Sequence, residues 1–283
     1  MVKFGSHAFV WVGDWTTESG NAAIKGAATA GADFIEIPLL RPDEFDAASH
    51  RDALNDAGIY ATASLVLPAG LHMPENPTGA KEFLFAAMEG LEAVGGNYLC
   101  GCIAYELGKL TGEPPTEAER QTVIDTLTEV AAEAERRGIT LALEACNRYE
   151  TYLYNSLEDA RETVLAVGAP NLKLHADTYH MNIEENGFHD AIVNTADVLD
   201  YIHMSESHRG LVGSGTVNWD QVWAALGEIN FDGHLVLESF AAINPDLAAA
   251  TCLWRPPNEG SERIANEGIA FLRENAAKHG LST

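Results

Sequence analysis

One unit keeps returning along this chain: a helical pattern that ends at a glycine, a few further residues, then a short β-rich run. It appears in TAGADFIEIPL, NDAGIYATASLVL, AVGGNYLCGCI, RRGITLALEA, AVGAPNLKLHAD, TADVLDYIHMSE and INFDGHLVLES, and the opening KFGSHAFV supplies an eighth strand. Gly31, Gly58, Gly95, Gly138 and Gly168 stand where a helix C-terminal cap is expected, because glycine enters the left-handed region without steric cost. The helices carry their own signals. In TEAERQTVIDTLTEVAAEAERRG, Val123, Ile124, Leu127, Val130, Ala131 and Ala134 share one face, and Thr116 with Glu119 reads as a capping box. Asn218 and Gln221 repeat that spacing before VWAALGEI.

Strand and helix alternate eight times with no linker or low-complexity tract between them, which predicts a parallel sheet. Eight β/α units in 283 residues predict a closed (β/α)8 barrel of the TIM type, one domain spanning 1–283. An open doubly wound sheet is the alternative, disfavoured because no GxGxxG turn follows the first strand. Long loops after strands three, four and eight, LPAGLHMPENPTG, AYELGKLTGEPPT and FAAINPDLAAATCLWRPPNEG, are expected to cover one end of the barrel.

Why should apolar strands end in acids? ITLAL runs into Glu144, and HLVL into Glu238; Asp177 and His203 end the two strands between them, and Glu36 ends strand two. In a barrel all C-terminal strand ends meet at one rim, where active sites are built. Taken singly, each acid also fits a helix cap or an exposed loop, and a lone His is more often a satisfied core residue. Four on consecutive strands are better read as one site. Three crowded carboxylates repel unless positive charge sits among them, and three oxygens with one imidazole suit Mn²⁺, Co²⁺ or Mg²⁺ better than a structural zinc. Asn147, Arg148, Glu150, His180 and Arg209 follow these strand ends. Arg148 is expected to be an ion-pair partner, whereas Arg209 and His180 suit substrate hydroxyl and carbonyl oxygens.

Composition removes other classes of function. Seventeen Lys+Arg against 42 Asp+Glu give a formal charge of -25, which repels nucleic acid and anionic membranes. No stretch approaches the ~20 apolar residues of a membrane span, and the N-terminus lacks the pattern of a signal peptide. Cys100, Cys102, Cys146 and Cys252 do not form a disulfide framework in a chain this long; core packing in a reducing cytoplasm is the expectation.

The stretches LEACNRYE, HADTYHMNIEE, IHMSESHRG and VLESF resemble the motifs of ketose 3-epimerases, the D-tagatose/D-allulose (psicose) and L-ribulose 3-epimerase group of the xylose-isomerase-like barrels. The resemblance implies a homodimeric or homotetrameric enzyme that uses Mn²⁺ or Co²⁺ and acts on a free ketose. It implies Glu144, Asp177, His203 and Glu238 as metal ligands, and Glu144 and Glu238 as the acid/base pair that moves a proton at C3 through an enediolate. It places Glu150, His180 and Arg209 near C1 to C3 of the sugar, and Glu36 at a further family position. Trp15 and Phe240 would line the sugar's apolar side. His7 stands where some members carry a bulky aromatic and Tyr105 where a Trp occurs, so both are expected where the substrate's ends are sensed. An aldose–ketose or hydroxypyruvate-type isomerase, with similar glutamates and metal, is the rival reading. A sugar-phosphate epimerase would want more Lys and Arg, an abasic-site endonuclease more His ligands and a basic face, and a sugar- or metal-binding module would lack turnover.

Overall fold

The computed structural model describes residues 1–282. Eight parallel strands close on themselves: β1 (Lys3–His7), β2 (Phe34–Pro38), β3 (Tyr60–Val66), β4 (Tyr98–Cys102), β5 (Thr140–Glu144), β6 (Leu172–Asp177), β7 (Leu199–Ser205) and β8 (His234–Glu238), each hydrogen-bonded to its sequence neighbour. The last strand returns to the first in the register Lys3↔His234 to Ser6↔Leu237, so the sheet has no edge. The expected closed (β/α)8 barrel is the one observed.

The helices are α1 (Thr17–Thr29), α2 (Ala47–Ala57), α3 (Pro77–Val94), α4 (Glu117–Arg137), α5 (Leu157–Val167), α6 (Thr178–Glu184), α7 (Phe188–Asn194), α8 (Trp219–Glu228), α9 (Pro245–Thr251) and α10 (Ser261–Lys278). α4 shows how sequence becomes shell. Thr116 and Glu119 form the reciprocal capping box, and Gly138 ends the helix at φ 69°. Val123, Leu127, Val130, Ala131 and Ala134 are buried, with Ile124 at the edge of that face. Each fully buried Val or Leu contributes about 1.5–3 kcal/mol. At α8 the expected pairing is half made: Asn218 caps Gln221 N–H, but the Gln221 side-chain Oε1 turns away to accept from Phe188 N at 3.0 Å.

Inside the barrel, Phe34, Tyr98, Cys100, Ala142, Tyr201 and Val236 form a plug below the rim. Gly101 on β4 holds φ 101°, and a Cβ there would meet Leu65 O at 2.4 Å, so only glycine lets β3 and β4 approach this closely. The loops after β3, β4 and β8 reach over the C-terminal end; α9 lies within the last of them, and a Lys109↔Thr151 bridge ties the β4 loop to the β5 loop. Among the described residues no helix is long and apolar enough to cross a membrane.

Candidate active site at the C-terminal rim

Glu144, Asp177 and Glu238 are the last residues of β5, β6 and β8, and His203 lies two residues before the end of β7, opposite Asp177 in the ladder. Adjacent parallel strands therefore aim all four side chains into one buried cluster. Ligand atoms of Glu144, Asp177 and His203 lie within 4.8 Å of one another. His203 Nδ1 is 3.3 Å from Glu238 Oε1 and 4.0 Å from Glu144 Oε1, yet makes no hydrogen bond. A buried imidazole nitrogen without a partner, aimed among carboxylate oxygens, fits a divalent cation of the hard-to-borderline class.

Below the rim a second layer sets the imidazole. His203 Nε2 lies 2.9 Å from Glu36 Oε2, and the Tyr201 hydroxyl donates to the same oxygen at 2.7 Å. His7 Nδ1 accepts from Phe9 N at 3.1 Å, so a neutral His7 carries its proton on Nε2, 3.4 Å from Glu36 Oε1. Burial raises the Glu36 carboxyl, but the neighbouring His203 imidazole, with its hydrogen bond, outweighs it and holds the group down at about 2.

Around the cluster stands a set of polar groups. Asn147 N donates to His180 Nδ1 at 3.1 Å, which leaves the neutral ring's proton on Nε2, facing Asp177 at 3.5 Å and Glu144 at 3.7 Å. Burial and the nearby Arg209 charge push the His180 imidazole well down, so it stays neutral. The Asn147 amide also donates to Glu150 Oε1 at 2.9 Å. Asp177 caps α6 by accepting from Tyr179 N at 2.7 Å, and its other oxygen accepts from Arg209 Nη1 at 2.9 Å. The same Arg209 nitrogen contacts Glu238. Arg209 holds φ 58°, a left-handed conformation costly for any residue with a Cβ, kept in place because Phe240 N and Ser239 Oγ donate to its carbonyl at 3.1 and 2.8 Å. Its guanidinium stacks 3.8 Å from the Tyr179 ring centroid and 5.0 Å from that of Phe240.

The two glutamates at the ends of β5 and β8 sit in opposed environments. Burial, with the neighbouring Cys146, Asp177 and Glu238 groups, pushes Glu144 well up. Burial also acts on Glu238, but Arg209 and His203 overcome it and hold that carboxyl well below its ordinary range.

A cavity of about 370 Å³ opens above these groups. Glu144, Glu150, His180, His203, Arg209 and Glu238 form its polar floor; Phe9, Leu107, Phe240 and Leu247 form its apolar wall, and His7 lies at one side. Three expected substrate contacts lie elsewhere. Glu36 is fully buried beneath His203 and does not line the cavity, because its oxygens are committed to His203 and Tyr201. Tyr105 is fully buried and donates its hydroxyl to Glu144 O at 2.8 Å, so it supports the β5 backbone. Trp15 turns its Nε1 to His50 Nε2 at 3.0 Å and packs on Gly20, in a neighbouring depression. Arg148 pairs with Glu184 through two bonds of 2.9 and 2.8 Å, the structural ion pair expected of it. Phe9, Cys102, Cys146 and Leu247 also line the cavity, none of them expected there from the sequence, and His175 is fully buried with Nδ1 3.7 Å from Glu144 Oε2. For Cys102 a signal existed: it ends β4 at the rank where Glu144 ends β5.

A closed parallel barrel with an acidic cluster at its C-terminal rim defines an enzyme scaffold of the xylose isomerase-like TIM barrel class, and the model of that family matches residues 24–275. The chain is 38% identical over 279 residues to an L-ribulose 3-epimerase of Methylomonas sp. (strain DH-1), covering 96% of this chain and 97% of that one. It is 37% identical to a ketose 3-epimerase of Arthrobacter globiformis, over 96% of each chain. A crystal structure of a Methylomonas D-allulose 3-epimerase in complex with D-allulose superposes with a TM-score of 0.93 at 38% identity, covering 97% of both chains. The chain belongs to the ketose 3-epimerase family within the xylose isomerase-like barrels, and is an isomerase.

Proposed function

We propose that this enzyme inverts the configuration of free ketoses at C3, in interconversions of the D-fructose/D-allulose, D-tagatose/D-sorbose and L-ribulose/L-xylulose kind. The observation that carries the reading is the pair Glu144 and Glu238, which face one cavity from the ends of β5 and β8. The relatives named for L-ribulose, ketose and D-psicose epimerisation support the substrate class.

The C3 proton of a ketose is weakly acidic, since its loss gives an enediolate spread over two oxygens. Glu144, Asp177, His203 and Glu238 would hold a divalent ion, Mn²⁺ or Co²⁺ with Mg²⁺ as a third option, which supplies Lewis-acid charge beside those oxygens. Glu238, beside the Arg209 guanidinium, takes the C3 proton on its carboxylate oxygen. Glu144, on the other side of the cavity, returns a proton to the opposite face of the same carbon, and the reverse reaction exchanges the two roles. His180 Nε2–H and the Arg209 guanidinium donate to sugar oxygens, and Glu150 accepts from a hydroxyl. Phe9 and Phe240 cover the carbon skeleton and exclude water, with His7 beside them.

Exposed Tyr149, at 71%, and Trp254, at 75%, support association into a homodimer or homotetramer, and four free cysteines support a reducing cytoplasm. The test is incubation of the metal-loaded protein with D-fructose and L-ribulose in D₂O, followed by NMR and product separation. Deuterium at C3 of a C3-epimerised ketose is the expected outcome. Deuterium at C1 or an aldose product would assign the enzyme to aldose–ketose isomerisation.

A further inference from the structure

Two cysteines stand in the cavity wall beside the acidic cluster. β4 ends at Cys102, and Cys146 follows the end of its neighbour β5 by two residues. Their sulfurs lie 3.6 Å apart, and Cys102 Sγ lies 3.9 Å from Glu144 Oε2. Ligand atoms of Cys102, Glu144 and Cys146 all fall within 4.8 Å of one another, and all three residues line the cavity. Cys100 differs: it sits in the plug of the barrel and contacts Ala63 O.

A tetrahedral ion with metal–sulfur bonds of about 2.3 Å and a metal–oxygen bond of about 2.1 Å sets S···S near ~3.8 Å and S···O near ~3.6 Å. The observed separations are within a few tenths of an ångström of both. We propose that Cys102, Cys146 and Glu144 form a second cation site, selective for a soft, thiophilic divalent ion of the Zn²⁺ or Cd²⁺ class. Binding joins the ion to both sulfurs and to one Glu144 oxygen; the two thiol protons pass to solvent, and the fourth corner faces the cavity. A hard ion gains too little from sulfur to displace those protons, and a soft one gains enough.

Glu144 is common to this triad and to the hard-ion cluster. A soft ion between the sulfurs therefore draws Glu144 away from Asp177 and His203, and the two ions compete, each weakening the other by the same factor. The site is thus a point of soft-metal inhibition built into the cavity wall.

The test is optical and needs no turnover, so the Cd²⁺ band is read apart from the epimerase reading, and only the Mn²⁺ competition rests on the hard-ion cluster of that reading. Chelator-treated protein is titrated with Cd²⁺ while the ultraviolet thiolate-to-cadmium charge-transfer absorption is followed. The expected result is a band saturating at one ion per chain, lost in Cys102→Ser and, independently, in Cys146→Ser, but kept in Cys252→Ser. Saturating Mn²⁺ should move the Cd²⁺ midpoint to higher concentration. Far-UV circular dichroism identifies a folded variant, and either serine variant alone suffices if the other does not fold. No band in the wild type, a band that survives both serine substitutions, or a midpoint indifferent to Mn²⁺ would overturn the proposal.

Discussion

His203 and Glu36 meet inside the barrel, Nε2 to Oε2 at 2.9 Å, and this contact leaves Nδ1 as the histidine's free atom toward Glu144 and Glu238. A carboxylate behind an imidazole fixes both its tautomer and its orientation, and so raises its quality as a ligand. Tyr201, donating to the same carboxylate, holds Glu36 in turn.

Glu36→Gln should lower affinity for a divalent ion by about 10–100-fold while the fold persists. Isothermal titration of the chelator-treated variant with Mn²⁺ reads this directly. Unchanged affinity would reduce Glu36 to a packing group.

Glu144→Gln and Glu238→Gln should each reduce turnover by at least about 10²–10⁴-fold, the usual contribution of a positioned acid or base. Steady-state rates at saturating Mn²⁺ check it. A variant with a near-normal rate would remove that residue from proton transfer.

Arg209→Leu should move the acid limb of the rate profile to higher pH. The guanidinium holds Glu238 below its ordinary range, so removing it lets that carboxyl keep a proton to higher pH and shrinks the ionised, base-competent fraction. The measurement is kcat/KM against pH for both proteins. Superimposable acid limbs would mean that Glu238 does not act as the base.

Glu206 tests the scaffold rather than the chemistry. Fully buried, it accepts from Ser207 N at 2.9 Å, Gly213 N at 2.9 Å, Val217 N at 3.1 Å and Trp219 Nε1 at 2.9 Å. Glu206→Ala leaves these donors buried without a partner and should cost at least about 3 kcal/mol. Burial raises this carboxyl, but the donated hydrogen bonds overcome it and depress it from 4.5. Its stabilisation is therefore complete above the ordinary value and fades as pH falls through the folded one. The stability gap between wild type and Glu206→Gln, measured by urea unfolding, should close on acidification below 4.5. A gap that widens there would contradict the assignment.

The barrel was legible because its signals are local. Gly58, Gly95, Gly138 and Gly168 cap helices in the left-handed region as their positions implied, and the apolar runs between them became strands. The acidic cluster was legible because a parallel barrel converts strand-end position into proximity, so Glu144, Asp177, His203 and Glu238 needed no knowledge of loops. What lay beyond was set by side-chain direction. Trp15 turned to His50, Tyr105 turned to the Glu144 carbonyl, and Glu36 went under His203 instead of into the cavity. No period or spacing in the chain marks those choices. Glu206 was illegible for another reason: its partners are mostly backbone amides, which every residue carries.

The most direct test of a single cation flanked by two carboxyl groups is the rate of C3 inversion by chelator-stripped protein, set beside the same sample replenished with Mn²⁺. Turnover that vanishes on stripping and returns with the ion is the expected result. Equal rates before and after replenishment would contradict it.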